Sequence, residues 1–202
     1  MKYLSNSDDV AAAVQILQQP GSVLLVPTET VYGLVCSWGD AVARARIYNL
    51  KHRAENKPLA AFVASVENLP QEILPLPVNA LRIAEAFCPG PVTLVVPDGN
   101  GSTFGFRIPD HPFILELLRA YGGALASTSA NLSGERPALS VPEALESIAG
   151  SVDLAVDGGV LPSDSLASTV IRVFEDSSWK ILRNGPVTED EIAAVCGVGC
   201  RK

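Results

Sequence analysis

The chain has 202 residues, of which 48% are hydrophobic and 18% are charged, and its formal net charge is −7 at pH 7. This length suits one large domain or two small ones, and the apolar content excludes an intrinsically disordered chain. The acidic balance argues against a general nucleic-acid coat. Because no apolar run approaches the roughly 18 residues of a membrane helix and the N-terminus lacks the apolar core of a signal peptide, we expect a cytoplasmic protein without membrane contact.

The first predicted element is a helix over residues 7–18, which Ser7 would cap and Pro20 would stop. Val10 and Leu17 recur on one face of this helix. Further along the chain, short apolar runs bounded by proline or glycine predict strands, and longer periodic segments predict helices. In chain order these are strand 22–26, helix 40–50, strand 59–63, helix 79–87, strands 92–96 and 104–108, helix 112–121, strand 124–127, helix 142–148, strands 154–156, 169–174 and 179–182, and helix 188–195.

The alternation of helices and strands predicts an α/β fold with a mixed sheet. The spacing between strands is irregular, and some consecutive strands have no helix between them, so we do not expect a strict doubly wound parallel sheet. The sequence contains no internal repeat, low-complexity tract or flexible linker. We therefore expect a single domain over residues 1–202, with a core from about residue 7 to 190.

The four cysteines do not form a recognisable metal site. Cys36 and Cys88 are isolated from other cysteines and from histidines. Cys196 and Cys200 form a C-x-x-x-C pair whose role stays open, but no second pair or nearby histidine completes a tetrahedral set. We interpret the cysteines as buried thiols of a reducing compartment and predict no metal ligands.

Basic residues are concentrated in one segment of this acidic chain, since five of the 15 fall between positions 41 and 57. We interpret Arg44 and Arg46 as part of a solvated helix face. Lys51 and Arg53 are two residues apart, so they can serve one ligand only where the helix has ended. Pro58 disfavours helical geometry at the residue before it. The cations expected around a polyphosphate are Lys51, Arg53 and Lys57.

Two segments rich in small hydroxyl side chains follow predicted strands. Residues 27–34 read PTETVYGL, and residues 127–134 read STSANLSG. Ligands of open α/β sheets bind at strand ends, although such clusters also form ordinary turns. Neither a phosphate loop of the G-x-x-x-x-G-K-[ST] type nor a G-x-S-x-G elbow occurs, and His52 and His111 lie far apart in sequence. The pattern favours an anion-binding site over Ser-His-Asp hydrolysis.

These segments, together with others in the same order, resemble the YrdC-like family of L-threonylcarbamoyladenylate synthases. The resemblance is to the short, single-domain members, and it covers nearly the whole chain. It is carried by PTETVYGL at 27–34, KHR at 51–53, KPL at 57–59, PGPVTL at 89–94, RIP at 107–109, SANLSG at 129–134, DGG at 157–159, STV at 168–170 and ILR at 181–183.

The resemblance implies a twisted mixed sheet with flanking helices and a concave ligand cleft. It also implies an ATP-dependent nucleotidyltransferase that condenses L-threonine, bicarbonate or CO2, and ATP into threonylcarbamoyl-AMP and releases pyrophosphate. Mg²⁺ would enter with ATP. The product would serve the tRNA threonylcarbamoyl-transfer machinery, which modifies tRNAs that read codons starting with A, and a weak contact with RNA is a further expectation.

The same resemblance assigns site residues by position. Lys51 and Arg53 would be catalytic, because they would neutralise phosphate charge as pyrophosphate leaves. Arg107 would offer the planar fork of its guanidinium to a carboxylate. ATP would contact Lys51, Arg53, Lys57, Asn131, Ser140 and Arg183, and L-threonine would contact Thr28, Arg107, Ser129 and Ser168.

The chain departs from the family pattern at Phe62, where a polar residue is common. Two alternative functions remain open. One is an RNA-binding module of the same fold in tRNA or rRNA maturation, against which the net charge of −7 argues. The other is a carbamoyl-adenylate enzyme of the hydrogenase-maturation kind, whose further domains we do not expect 202 residues to hold.

Overall fold

The computed structural model describes residues 2–4, 10–54 and 56–197, and its strands form one sheet. The predicted cap Ser7, the first residues of the predicted first helix and Cys200 lie outside the described residues. The strands are β1 (Lys2–Leu4), β2 (Leu24–Val26), β3 (Gly33–Ser37), β4 (Ala60–Phe62), β5 (Val92–Pro97), β6 (Thr103–Arg107), β7 (Leu125–Ser129), β8 (Leu154–Val156), β9 (Thr169–Val173) and β10 (Trp179–Arg183).

Six α-helices lie between these strands or follow them in the described part of the chain. Two short 3-10 turns, Val66–Asn68 and Gln71–Ile73, precede the third helix. None of the described helices is long and apolar enough to cross a membrane. The helices are α1 (Val10–Leu17), α2 (Ala41–Leu50), α3 (Val78–Phe87), α4 (Pro112–Tyr121), α5 (Val141–Ser147) and α6 (Glu189–Cys196).

The predicted α/β fold with a mixed sheet is confirmed. The strand order is β1-β8-β2-β3-β7-β4-β6-β5-β9-β10. Four of its neighbouring pairs, β1 with β8, β8 with β2, β4 with β6, and β5 with β9, are parallel. The other five are antiparallel. The assignment of one domain to residues 1–202 stays a prediction.

Two strands were not predicted from the sequence. β3 begins inside the hydroxyl-rich segment 27–34, where turn-forming residues mask the apolar run that follows. β1 is three residues long and pairs in parallel with β8. A strand this short carries too few alternating side chains to be recognised from periodicity alone.

Helices pack against both faces of the sheet, and on the second face they leave one half uncovered. On the first face, α2 and α5 pack over the half of the sheet that contains β2, β3 and β7. Next to them on this face, α3 and α6 pack over β4, β5, β6 and β9. On the second face, α1 and α4 cover β2, β3, β7 and β8.

The open half of the second face is marked by side-chain alternation along β5, β6 and β9. Leu94 pairs with Phe106 and Ile171 on neighbouring strands, and all three are buried in the core beneath α3 and α6. Adjacent residues on a strand point to opposite faces. Thr93 and Arg107 therefore point to the opposite face of the sheet, in the half that α1 and α4 do not cover.

A prediction concerns the close approach of Gly185 to the start of β9. A Cβ built on Gly185 lies 2.5 Å from the carbonyl oxygen of Ala167 and 2.7 Å from the carbonyl carbon of Ser168, so Gly185→Ala must displace backbone. We expect Gly185→Ala to lower the free energy of unfolding by about 1–3 kcal/mol. The matched control is Gly39→Ala, since a Cβ at Gly39 meets nothing within 4 Å. Equal urea unfolding midpoints for the two variants would contradict the prediction.

Candidate active site

The open half of the sheet forms the floor of a cavity of about 390 Å³. Its lining contains no residue of the described helices. Thr93 of β5, Arg107 of β6 and Arg172 of β9 all face it, as the strand alternation requires. We call this cavity the inner lobe.

A second cavity of about 460 Å³ adjoins the inner lobe, and we call it the outer lobe. It is lined by the chain that leaves α2, by the loop that follows β7 and by the loop that precedes β9. Arg53, Ser129, Ala167 and Arg183 line both lobes. The two lobes therefore form one cleft with a junction at these four residues.

Lys51 enters the outer lobe from the end of α2, where it is the C-terminal cap of the helix. Its side chain is buried, and its Nζ donates to the carbonyl oxygens of Ser129 and Asn131, the second at 2.5 Å. Nζ also lies 3.3 Å from Oδ1 of Asn131. These oxygens favour the ammonium form, whereas burial and the positive charge of Arg53 lower the pKa of Lys51 to about 7.

The segment after Lys51 turns sharply, because His52 has a left-handed φ of 45°. The helix has therefore ended before Arg53, as the two-residue spacing requires. The guanidinium of Arg53 donates from Nε to the carbonyl of Lys57 and from Nη2 to that of Pro58, each at 2.9 Å. This side chain fixes the chain leaving α2 and stays at the junction of the lobes.

Arg183 and Ser168 form a second basic group at the junction. Arg183 donates from Nε and Nη2 to the carbonyl of Ser168, at 3.0 and 2.8 Å, and from Nη2 to its hydroxyl at 3.0 Å. The Ser168 hydroxyl lies 2.8 Å from that of Thr93. Burial and the nearby positive charges of Arg107 and Arg53 lower the pKa of Arg183, although an arginine remains charged. The positive charges of Arg53, Arg107 and Arg183 therefore lie close enough in the cleft to influence one another.

The structure brings together eight of the ten residues predicted for ligand binding. Those predicted for L-threonine line the inner lobe, apart from Thr28, and those predicted for ATP line the outer lobe, apart from Ser140. Ser129 and two of the ATP residues, Arg53 and Arg183, belong to both lobes. The eight residues are Lys51, Arg53, Lys57, Arg107, Ser129, Asn131, Ser168 and Arg183.

Thr28 and Ser140 do not line either lobe. Thr28 is buried, and its hydroxyl accepts from the backbone N–H groups of Thr30 and Val31 at 3.2 Å. Ser140 caps α5, where its hydroxyl accepts from the N–H of Glu143. A direct ligand contact for either residue stays a prediction.

Several lining residues were not singled out from the sequence. Thr93 and Arg172 lie on the neighbouring strands β5 and β9, and period-2 alternation along these strands was the signal that could have found them. Arg136 lines the outer lobe just after the SANLSG segment, and it donates to the carbonyl of Ser163 at 2.6 Å. No local pattern distinguishes Arg136 from an exposed loop arginine.

The structure offers no dedicated metal cluster among the described residues, which include no group of three or more His, Cys, Asp or Glu side chains arranged to hold an ion. Cys36 is buried, and burial raises the pKa of its thiol to about 12. Burial likewise raises the pKa of Cys88 to about 11. These thiols are protonated at neutral pH. Cys36 is buried as expected, whereas Cys88 is only partly buried and packs against the core beneath α3 and α6.

Comparison with known proteins identifies the family. A family model for Sua5, YciO and YrdC, which carries the description telomere recombination, matches residues 15–185. The chain belongs to this family. Its fold also superposes on the crystal structure of P. abyssi Sua5 complexed with L-threonine, with a TM-score of 0.84 and 30% identity over 99% of this chain and 61% of that one.

Two curated relatives of this Sua5/YciO/YrdC chain carry the name threonylcarbamoyl-AMP synthase. The protein of Rattus norvegicus is 37% identical over 213 residues, which cover 95% of this chain and 72% of the relative. The protein of Bacillus subtilis is 33% identical over 205 residues, which cover 96% of this chain and 58% of the relative. The chain thus spans between 58% and 72% of the length of these two proteins.

A prediction follows from the buried amine of Lys51. Because its pKa falls from 10.5 to about 7 on folding, the unfolded chain binds a proton that the folded chain lacks between these values, and stability rises with pH across this window. Lys51→Met removes this contribution. We expect the stability of wild type relative to Lys51→Met to increase from pH 7 to pH 9 by at most about 1.4 kcal/mol per pH unit, measured by urea unfolding. A difference that is constant with pH would contradict the buried, titrating amine.

Proposed function

We propose that this protein condenses L-threonine, bicarbonate or CO2, and ATP into threonylcarbamoyl-AMP and releases pyrophosphate. The observation that carries the proposal is the junction where Arg53, Ser129 and Arg183 line both lobes. A cleft of this form allows an amino acid and a nucleotide to bind separately and react at the boundary. The names of the relatives and the L-threonine in P. abyssi Sua5 support the same reaction.

The proposed reaction has two steps. The amine of threonine adds to CO2, loses a proton and becomes an N-carboxylate. An oxygen of this carboxylate then attacks the α-phosphorus of ATP, the bond to the bridging oxygen breaks, and pyrophosphate leaves with its electron pair. Proton transfer at phosphorus is not required, so positioning and charge neutralisation by the protein supply most of the rate enhancement.

The inner lobe suits the amino acid. Arg107 supplies a buried positive charge for the carboxylate, and the hydroxyls of Ser129 and Ser168 can hydrogen-bond the polar groups of threonine. Thr28 supports this lobe from behind, since its hydroxyl lies 2.9 Å from that of Thr30, which contacts Arg107. Phe62 and other apolar residues also line this lobe, and the Phe62 ring lies beside Arg107, with its centre 5.7 Å from the guanidinium carbon. This mixture is the expected environment of a small amino acid that carries a methyl group.

The outer lobe suits the triphosphate. Lys51, Lys57 and Asn131 line the outer lobe but not the inner lobe, whereas Arg53 and Arg183 line both. We assign the α-phosphate to that junction, because the carboxylate that attacks it comes from the inner lobe. The amide of Asn131 accepts from Ser129 and from Lys51, so it also holds the catalytic amine in place.

We propose that Mg²⁺ enters with the nucleotide. A Mg²⁺ ion bound through phosphates and water needs only one or two carboxylates from a protein. The outer lobe contains two, those of Glu135 and Asp164. These side chains fit a phosphate-bound ion, which would further neutralise the charge of the triphosphate.

The product would pass to the tRNA threonylcarbamoyl-transfer machinery, in the cytoplasm where tRNA is modified. The alternative of an RNA-binding module is not favoured, because curated relatives are named as synthases and the net charge is −7. A hydrogenase-maturation enzyme has no specific observation in its favour.

The experiment that tests the function is mass spectrometry of the products formed from ATP, Mg²⁺, bicarbonate and a panel of amino acids. We expect a threonylcarbamoyl-AMP peak with threonine, together with one equivalent of pyrophosphate. ATP turnover that is independent of any amino acid would contradict the proposal. RNA binding with a steep salt dependence and no such product would favour the alternative.

Two cations that line the outer lobe lead to a prediction about rate. We expect Lys51→Ala and Arg53→Ala each to reduce threonine-dependent pyrophosphate release by a few powers of ten, or about 3–5 kcal/mol of transition-state stabilisation. Arg119→Ala, which removes an exposed arginine of α4, is the matched control and should retain wild-type turnover. Wild-type rates in both Lys51→Ala and Arg53→Ala would remove the phosphate assignment.

The division into two lobes leads to a prediction about affinity. Arg107→Ala should raise the KM for threonine by about a hundredfold, because the carboxylate of bound threonine would then be buried without its charged partner. The KM for ATP should change little, since Arg107 lines only the inner lobe. Steady-state kinetics with each substrate varied in turn would measure this separation. An unchanged KM for threonine would require a different partner for the carboxylate.

A further inference from the structure

The guanidinium of Arg107 is held from behind by three groups of the protein. Its Nε donates to the carbonyl of Gly90 at 3.1 Å. Its Nη2 donates to Oε1 of Glu29 at 2.6 Å and to the hydroxyl of Thr30 at 3.0 Å. Since an arginine has five N–H donors, these bonds leave the two of Nη1, which make no hydrogen bond within the described part of the chain. Arg107 therefore presents one amino group to the inner lobe rather than a fork.

The hydroxyl of Thr30 is fixed by the turn in which it lies. Thr28 donates its single hydroxyl hydrogen to the carbonyl of Val31 at 2.7 Å. In the 2.9 Å contact between the two threonine hydroxyls, Thr30 must therefore be the donor. The lone pairs of Thr30 remain for Arg107. This chain of bonds is ordered, but every member of it is neutral.

Glu29 supplies the negative charge that this group otherwise lacks. In its ion pair with Arg107 the arginine side chain is buried and the glutamate side chain is partly buried, since they are 6% and 19% exposed. The other oxygen, Oε2, is buried and has no hydrogen-bond partner in the described residues. Burying an unpaired guanidinium costs several kcal/mol, and charge-assisted hydrogen bonds are short and strong. Within the described residues, the carboxylate of Glu29 therefore has Arg107 as its hydrogen-bonding and charge partner.

Glu29 does not reach the ligand space itself, since it lines neither lobe. We propose that Glu29 is a positioning residue that turns Nη1 of Arg107 toward the inner lobe and so sets the affinity for the carboxylate of the amino-acid substrate. The inference rests on the proposed function, because it takes the inner lobe to be the amino-acid site. Glu29 thus gives the PTETVYGL segment a charged group that orients Arg107, which the hydroxyls of Thr28 and Thr30 cannot supply.

Two conservative substitutions separate orientation from charge. Glu29→Gln keeps an acceptor oxygen at the same reach and removes the charge. Glu29→Asp keeps the charge but is shorter by one methylene, about 1.5 Å, so it cannot keep a short bond to Nη2. Positioning predicts that Gln substitutes better than Asp, whereas a purely electrostatic role predicts the reverse.

The experiment measures kcat, the KM for threonine and the KM for ATP in purified Glu29→Gln, Glu29→Asp and Glu29→Ala. We expect Asp and Ala to raise the KM for threonine about 30-fold or more, and Gln to raise it less than about fivefold. The KM for ATP should stay within about twofold of wild type in all three. Glu85→Ala, at an exposed glutamate of α3, is the matched control and should match wild type throughout.

Thermal unfolding of each variant identifies a loss of folding, and calorimetric titration of threonine without ATP identifies a loss of binding. The proposal is overturned if folded Glu29→Ala binds threonine as wild type does, if the KM values for threonine and ATP rise together, or if Asp restores affinity better than Gln. Failure of the proposed function gives a different result, because wild-type protein would then neither bind threonine nor release pyrophosphate.

Discussion

The structure depends on the convergence of positive charges in a cleft where they are partly removed from water. Lys51 and Arg107 are buried, and Arg53 and Arg183 stand at the boundary between the two lobes. Like charges that lie close together repel one another strongly when the local dielectric is low, and burial together with these neighbouring cations lowers the pKa values of Lys51 and Arg183. The free protein offsets the repulsion with backbone carbonyls and with the carboxylate of Glu29. An anionic ligand offsets it far better, so the site is organised for anions before any anion arrives.

The cleft exists because two helices cover only part of one face of the sheet. α1 and α4 cover the β8-β2-β3-β7 half, and the chain that leaves α2, the loop after β7 and the loop before β9 surround what remains. Period-2 alternation then decides which side chains face the ligand space. Thr93 and Arg107 do so because Leu94 and Phe106, beside them in sequence, are required in the opposite core. The same alternation that builds the core therefore builds the floor of the site.

The sequence predicted the fold class and most elements, because core strands are apolar runs and helices keep their period. It also predicted that the chain leaves α2 at Lys51, from spacing and a following proline. It could not predict which distant groups meet. The bond from Lys51 to Asn131 and the ion pair of Glu29 with Arg107 join residues about 80 positions apart, and local patterns carry no information about such pairs. Ser140 contained a signal that went unused, since Ser-x-x-Glu is typical of a helix cap.

The net charge of −7 and a site for polyphosphate are compatible, because the two act over different distances. At physiological ionic strength the field of surface charges decays over about 8 Å, so the acidic exterior contributes little inside a walled cleft. Within the cleft, partly buried cations are screened far less and dominate the local potential. Net charge therefore bears on solubility and on long-range encounter with nucleic acids, whereas binding in the cleft follows from Lys51, Arg53, Arg107 and Arg183. For this reason an acidic composition excluded a nucleic-acid coat without excluding an anionic substrate.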